Sequence, residues 1–356
     1  MTDTTQRFTI AIDAMGGDFA PSEIVKGAVE GAQIYDVHIQ LCGPSDKIEA
    51  ELASFSAKER TRIEVIHCDE VIEMDESPAT AIRRKKNASI VVTAKQVKQG
   101  HAHAMVAAGS TGAAMAASLL YIGRVPGIDR PAIGVALPTL SNDPCLLLDA
   151  GANADCIPEM LLQFAQMGNV FMENVYGIPH PKVGILNIGE ELGKGNSLAN
   201  TAYDLIKRES GLNFIGNVEG NDLFKGTCHV AVCDGFVGNV ALKSAEGVSK
   251  MLLTSIKEEL SSSIKAKAGA LLAKSALKAA KAKVDPHEYG GALLLGINGI
   301  CVIGHGSSDS YAIQNAIRVA KQAVETRVLD KISGMPHSES LGSSSSSESV
   351  EKEGVS

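Results

Sequence analysis

The chain contains no tryptophan, and aromatic residues make up only 4% of its 356 positions. Aromatic platforms for stacking the bases of single-stranded nucleic acid are therefore not expected. Excess positive charge is missing too. The 33 basic and 41 acidic residues leave a net charge of −8, which argues against a general nucleic-acid binder. None of the seven cysteines, at 42, 68, 145, 156, 228, 233 and 301, forms a Cys-x-x-Cys pair. A zinc ribbon and a disulfide scaffold are both disfavoured, and a reducing compartment fits. Long apolar runs are absent. The stretches 99–123 and 289–308 lack Asp, Glu, Lys and Arg but are broken by Gly, Ser and His, whereas a membrane span needs about 20 predominantly apolar residues. The polar opening MTDTTQRF predicts no secretory leader. Missing as well are a G-x-S-x-G elbow, an H-E-x-x-H pair, a calcium loop and a G-x-G-x-x-G turn after the first strand.

The chain does show an alternation of short apolar strands with helical patterns. Strands are expected at Phe8–Asp13, Val37–Cys42, Arg62–His67, His103–Ala108, Ala132–Leu137, Cys145–Asp149, Lys182–Ile188, Phe214–Val218, Val230–Asp234 and Ile300–Gly304. Helical patterns lie between them, including one long helix over Pro78–Lys98. This order predicts an α/β fold with a largely parallel, doubly wound sheet. Residues 1–330 are read as one catalytic unit. The Ser/Glu-rich segment 331–356, with its Ser343–Ser347 run, offers almost nothing to bury and is read as an unfolded tail.

Open α/β sheets bind ligands at the carboxyl ends of strands, and polar Gly-rich turns come after several strands here. Asp13-Ala-Met-Gly16-Gly17-Asp18 pairs two glycines with two carboxyl groups; its plain structural alternative is a tight turn with Asp caps. Ala108-Gly-Ser110-Thr111-Gly112 offers two hydroxyls and helix-start N–H groups, suited to phosphate, although a simple Ser/Thr cap uses the same residues. Gly189-Glu-Glu-Leu-Gly-Lys194-Gly-Asn196 is one residue short of a P-loop and has Gly after its Lys, yet Lys194 can still meet an anion. Turns at Asn217–Glu219 and at Asp234 and Asn239 supply amides and carboxyls, which turn and cap chemistry would equally explain. His305, between Gly304 and Gly306, has little to pack against. No metal site is expected. His101-x-His103 alone is a poor ligand set, and Cys156 and Cys233 have no adjacent His to activate them.

From Ile256 the apolar side chains recur at helical spacing, and residues 250–283 carry eight Lys against two Glu. A helical hairpin over about 243–284 is expected, turning near Gly269. It is either a solvated pair in a dimer interface or a basic amphipathic surface that meets lipid, with Leu271, Leu272, Lys274, Leu277 and Lys278 at its tip.

The ordered set of turns resembles the phosphate acyltransferase (PlsX) family of bacterial phospholipid synthesis. The resemblance rests on Asp13 to Pro21, Pro78-Ala-Thr-Ala-Ile-Arg-Arg-Lys-Lys86, Ala108 to Ala113, Leu148-Asp-Ala-Gly-Ala-Asn153, Gly189 to Asn196, Gly216 to Gly220, Cys233 to Asn239, Tyr289-Gly-Gly291 and His305 to Ser308. It covers about residues 8–325. Family members often have Asn at Ser110, Arg at Asn221 and Asp at His229. The resemblance implies a fold related to isocitrate and isopropylmalate dehydrogenases and transfer of an acyl group from acyl-[acyl carrier protein] to inorganic phosphate. It also implies a homodimer in the cytoplasm, peripherally attached to the inner face of the membrane, where a glycerol-phosphate acyltransferase would be the next partner. No cofactor is implied.

Because phosphate is the nucleophile in such a reaction, no activated Ser or Cys is needed. Ser110, Thr111 and Gly112 are then the expected phosphate holders, and Lys194, Asn196 and His305 the catalytic candidates. Asp13, Gly16, Gly17, Asp18, Asn217, Glu219, Asp234 and Asn239 would line or orient the site. Arg83, Arg84, Lys85 and Lys86 would face the acidic carrier, though four consecutive bases cannot share one helix face. The rival readings are a short-chain enzyme using coenzyme A, a nicotinamide-dependent dehydrogenase and a membrane scaffold.

Overall fold

In the computed structural model, residues 7–73, 76–141, 143–284 and 290–335 are described. The chain opens with β1 (Thr9–Asp13), α1 (Ser22–Ile34), β2 (His38–Gly43), α2 (Ser45–Leu52), β3 (Ile63–His67), α3 (Pro78–Arg84), α4 (Ser89–Lys98), β4 (Ala104–Ala108) and α5 (Thr111–Ala117). A π-helical turn, Ser118–Ile122, extends α5. Next come β5 (Ala132–Leu137), β6 (Cys145–Leu148), α6 (Pro158–Val175), β7 (Lys182–Leu186), α7 (Ser197–Arg208), β8 (Asn213–Val218), α8 (Asp222–Lys225) and β9 (Val230–Val232). The remainder is α9 (Gly235–Ser261), α10 (Ile264–Leu272), α11 (Lys274–Val284), β10 (Ala292–Leu295), β11 (Cys301–Gly304), α12 (Ser310–Glu325) and α13 (Val328–Ser333).

All the described strands join one sheet in the order β3-β2-β1-β4-β11-β10-β5-β6-β9-β7-β8. Successive side chains of a strand point to opposite faces, and β4 divides accordingly. Val106 enters a core with Ile10, Leu41, Phe164 and Ile313, while Met105 and Ala107 enter a second core with Ile90, Ala114 and Ile303. Helices α1, α6 and α12 thus cover one face and α4 and α5 the other, which is why these strands read as continuous apolar runs.

The sheet is not uniformly parallel. β10 runs antiparallel to both β11 and β5, and β5 runs antiparallel to β6. Hence β1, β4 and β11 end at one edge of the sheet, whereas β6, β7, β8 and β9 end at the other. The expected strands are all present. β10 is an addition to them, because Ala292–Leu295 gives too short a run to separate from its glycine-rich surroundings.

Three helical expectations need correction. Residues 78–98 form two helices, because Lys85 leaves the helical track to reach the Val71 carbonyl and the Glu76 carboxyl. The hairpin breaks at Ser262–Ser263 and again at Ala273, not at Gly269. Ser263 caps α10 by accepting the Ala266 N–H, and Gly269 lies within that helix. Its first helix also begins earlier than expected, at Gly235. Finally, α13 carries ordered chain through Ser333, past the expected boundary at 330, with Ile332 buried. Residues 336–356, including the Ser343–Ser347 run, and Tyr289 lie outside the described residues.

The start of α9 is set by close packing on the β6 turn. A Cβ at Gly238 would collide with the Asp149 carbonyl oxygen and lie 3.0 Å from Cys233 Sγ. Overpacking of this kind typically costs about 1–3 kcal/mol, so Gly238→Ala should lower the urea midpoint by a corresponding amount. Gly247, further along the same helix, faces open space. Gly247→Ala should instead gain about 0.5–1 kcal/mol from helix propensity. Equal effects of the two substitutions would contradict this packing.

Candidate functional site

Three loops meet at the edge where β1, β4 and β11 end. The Asp18 N–H donates to the Gly306 carbonyl at 2.8 Å. Gly17, at φ +101°, lies where a Cβ would be 3.0 Å from both the Ala108 and the Gly306 carbonyl oxygens. Only glycine permits that approach. Asp13, Gly16, Gly17, Asp18, Ser110, Thr111, Gly112 and His305, drawn from three separate motifs, are thereby brought to one place.

Each polar group here has a defined hydrogen-bonding state. Ser110 caps α5 by accepting the Ala113 N–H at 3.2 Å, which leaves its own O–H to donate. The N–H groups of Thr111 and Gly112 have no intrahelical acceptor, as in any first helical turn. His305 Nδ1 accepts the Ser307 N–H at 3.2 Å and lies 2.8 Å from Ser307 Oγ. In the neutral ring this places the proton on Nε2, so His305 offers a donor. Asp13 is buried, with its Oδ1 accepting the Met15 N–H at 3.1 Å. Burial pushes its carboxyl above the usual range, against the opposing hydrogen bonds from Ser89 and Met15. Asp13, Ser89 and Ser110 line a cavity of about 80 Å³.

A second group forms around the β6 turn. The buried Asp149 side chain accepts from the backbone N–H groups of Ile133, Gly151, Ala152 and Asn153 and from Asn153 Nδ2, at 2.7–3.0 Å. The Gly235 N–H donates to the Asn153 carbonyl, and Asp234 caps α9 by accepting the Val237 N–H at 2.9 Å. Asp149 and Asn153 are not among the expected site residues. Their signal is a polar turn directly after an apolar strand, but residue order alone does not reveal that one carboxyl gathers five donors.

The third group lies where β7 and β8 end. Asn187 Nδ2 donates to the Lys194 carbonyl and to Asn217 Oδ1, and Asn217 Nδ2 donates to the Glu191 carbonyl. Asn196 caps α7 by accepting the Ala199 N–H, the Glu219 N–H donates to Asp222, and Lys194 is exposed. Five strands intervene between β4 and β7. At about 4.8 Å per strand, roughly 25–30 Å of sheet separates Ser110 from Lys194. The two sets expected to share one site are therefore not neighbours within a single chain.

The first two groups are bridged by a cavity of about 430 Å³ between α9 and the sheet. Thr111 and His305 line it, as do Gly151 and Asn239, with Val135, Leu137, Leu242 and Ala245 and the α9 residues Lys243, Glu246 and Ser249 between. A shallower groove of about 660 Å³ beside His38, Gln40 and Glu64 holds none of the expected site residues.

Other candidates are already engaged. His103 Nδ1 accepts the Thr9 N–H, and His101 contacts Gln96. Burial, with Asp149 nearby, pushes the Cys156 thiol up to about 12, and burial pushes Cys233 well up too, so neither is an activated thiolate. Arg84 and Lys85 pair with Glu76 at 2.9 and 2.5 Å; Arg83, Arg84 and Lys86 are all exposed, and Lys85 is half-buried. Leu271 and Leu272 are 72% and 89% exposed, flanked by exposed Lys274 and Lys278, with Leu277 half-buried.

The fold is shared with solved enzymes of low sequence identity. A phosphotransacetylase from Streptococcus pyogenes superimposes with a TM-score of 0.61 at 16% identity, over 90% of this chain and 95% of that one. A 4-hydroxythreonine-4-phosphate dehydrogenase from Klebsiella pneumoniae gives 0.53 at 14% identity, over 89% and 99%. The class is thus an α/β protein of this dehydrogenase-like fold. Sequence identifies the family. Residues 8–331 match the family described as "Fatty acid synthesis protein". Proteins named phosphate acyltransferase from Heliobacterium modesticaldum and Pelotomaculum thermopropionicum are 56% and 53% identical over 323 residues, covering 91% of this chain and 96% and 93% of theirs. The chain belongs to the phosphate acyltransferase family and is an acyltransferase enzyme.

Asp13 gives a test of the site's electrostatics. A carboxyl whose pKa is raised on folding contributes destabilisation that grows as pH rises through its unfolded and then its folded value. Asp13→Asn removes this titration while keeping an acceptor for the Met15 N–H. Its stability relative to wild type should therefore improve as pH rises above about 4, the unperturbed carboxyl value, read from urea midpoints. A difference independent of pH would show that Asp13 does not titrate in this way.

Proposed function

We propose that this enzyme transfers a fatty acyl group from acyl-[acyl carrier protein] to inorganic phosphate, yielding acyl-phosphate. The observation that carries the reading is the convergence of Thr111, His305 and Asn239, from three separate sequence motifs, on one cavity. A phosphate oxygen attacks the thioester carbonyl carbon. The new C–O bond forms, the C–S bond breaks, and the electron pair leaves on sulfur, which takes up a proton. Ser110, Thr111 and Gly112 hold phosphate through hydroxyl and N–H donors. The Nε2–H of His305 donates to charge developing on the carbonyl oxygen or the leaving sulfur. Asp13 orients the glycine loop and does not touch phosphate, which its ionised form would repel. Arg83 and Lys86 are the bases free to meet an acidic carrier.

Lys194 and Asn196 enter this reading through a second copy of the chain. The outer side of α9 leaves Val240, Val248, Met251 and Leu252 about half exposed, an apolar stripe suited to a homodimer. Across such an interface the Lys194 loop of one copy would serve the cavity of the other, neutralising phosphate there. For the hairpin, α10 and α11 expose leucines beside lysines, and no helix among the described residues is long and apolar enough to cross a membrane. Peripheral attachment to an anionic leaflet is the reading we favour, placing the amphiphilic product near the membrane acyltransferase that would consume it.

Incubation with acyl-[acyl carrier protein] should release carrier thiol only when phosphate is added, and faster than from the matching coenzyme A thioester. Thr111→Ala, His305→Ala and Lys194→Ala should each lose about 10²–10³ in rate. Co-expressed Thr111→Ala and Lys194→Ala chains should recover about a quarter of wild-type activity through mixed dimers. Phosphate-independent release would sink the reaction, and no recovery in the mixture would sink the shared site.

Membrane contact is tested separately. Leu271→Glu combined with Leu272→Glu should abolish co-sedimentation with phosphatidylglycerol vesicles while leaving the melting temperature within a few degrees of wild type, since neither side chain is buried. Undiminished co-sedimentation would leave the dimer as the hairpin's only role.

A further inference from the structure

The cavity beneath α9 is mostly apolar, with polar groups at its two ends and the ion-paired Lys243 and Glu246, with Ser249, along α9. Thr111 and His305 stand at one end, and Asn239 beside Gly151 at the other. Between them Val135 and Leu137 form a floor on β5, and Leu242 and Ala245 form a roof on α9. From Asn239 to Ser249 the roof helix rises about 15 Å. A site built for phosphate and a thioester alone has no need of this length. Burying it empty leaves apolar walls without partner atoms.

We infer that this cavity takes the acyl chain of the donor, and that Leu242 and Ala245 set how much of the chain fits. The inference rests on the acyltransferase reading given above. The thioester carbon sits beside Thr111 and His305, and the chain runs under α9 towards Gly151. The chain makes no hydrogen bonds, which matches the Val and Leu floor and Leu242 and Ala245 of the roof, while Lys243 and Glu246 on α9 pair with each other. Both roof residues are half-buried, and α9 rests on the sheet mainly through its first turns at Gly235 and Gly238. A change of side chain at 242 or 245 therefore alters the cavity more than the fold.

Each buried methylene contributes roughly a four-fold factor in binding. Ala245→Leu adds three carbons to the roof, so the ratio of kcat/KM for long over short acyl donors should fall by on the order of 50-fold. Leu242→Ala removes three carbons and should shift the preferred donor to longer chains. Binding of cis-parinaric acid, a fluorescent fatty acid, gives a readout without turnover. Ala245→Leu should weaken it, and a long-chain fatty acid should displace it. A wild-type protein that binds the probe in this way but releases no thiol leaves the cavity assignment standing and overturns the reaction. Wild-type chain-length preference and probe binding in both folded variants would overturn the cavity assignment itself.

Discussion

The Asp149 side chain is the point on which the arrangement of this molecule turns. Its two oxygens collect five N–H donors, from Ile133 on β5, from the loop after β6 and from the Asn153 side chain. Leaving such buried donors without acceptors would cost about 1–3 kcal/mol each, so the loop has one stable shape. That shape presents the Asn153 carbonyl to the Gly235 N–H and the Asp149 carbonyl to the bare face of Gly238. The first turn of α9 is held from both sides, and the helix is launched across the sheet. The roof of the cavity is thus a consequence of one carboxyl group some distance from Thr111 and His305.

Strand polarity does the rest. A sheet in which every strand ran the same way would gather all the polar turns along one edge. Here the antiparallel β10 and the β5–β6 reversal send the turns to opposite edges and leave a face of central strands between them. The cavity occupies that face, linking the glycine-rich turns at the ends of β4 and β11 to the Asp149 loop. The same reversal removes Lys194 from the phosphate-side group within its own chain. A dimer then becomes part of the catalytic proposal, with the apolar outer stripe of α9 as the surface that would make it.

Local signals are legible where they depend on local physics. Apolar runs bounded by glycine mark the strands, and Ser110 and Asp234 each carry both a capping and a functional reading in the sequence. Both do cap helices, and the structure adds Asn196 as a third cap. The charge pattern of 250–283 marks out a helical segment distinct from the sheet. Less is legible where distant residues intervene. The break after Arg84 comes from Lys85 reaching Glu76 and Val71, a contact that helix propensity does not encode. Gly269 looks like a hinge by composition, yet the serines at 262–263 end α9, because Ser263 can cap α10.

The sequence by itself determined the class of fold, the polar turns at the strand ends and, through their order, the family. These depend on periodicity, backbone permissiveness and residue type, all of which act over a few positions. Tertiary structure alone decided which turns share a cavity and which bases are paired. Those outcomes depend on strand direction and on contacts between residues a hundred or more positions apart. Asp18 and Gly306 meet in space although almost the whole chain separates them, while Ser110 and Lys194, much closer in sequence, stand a sheet's width apart.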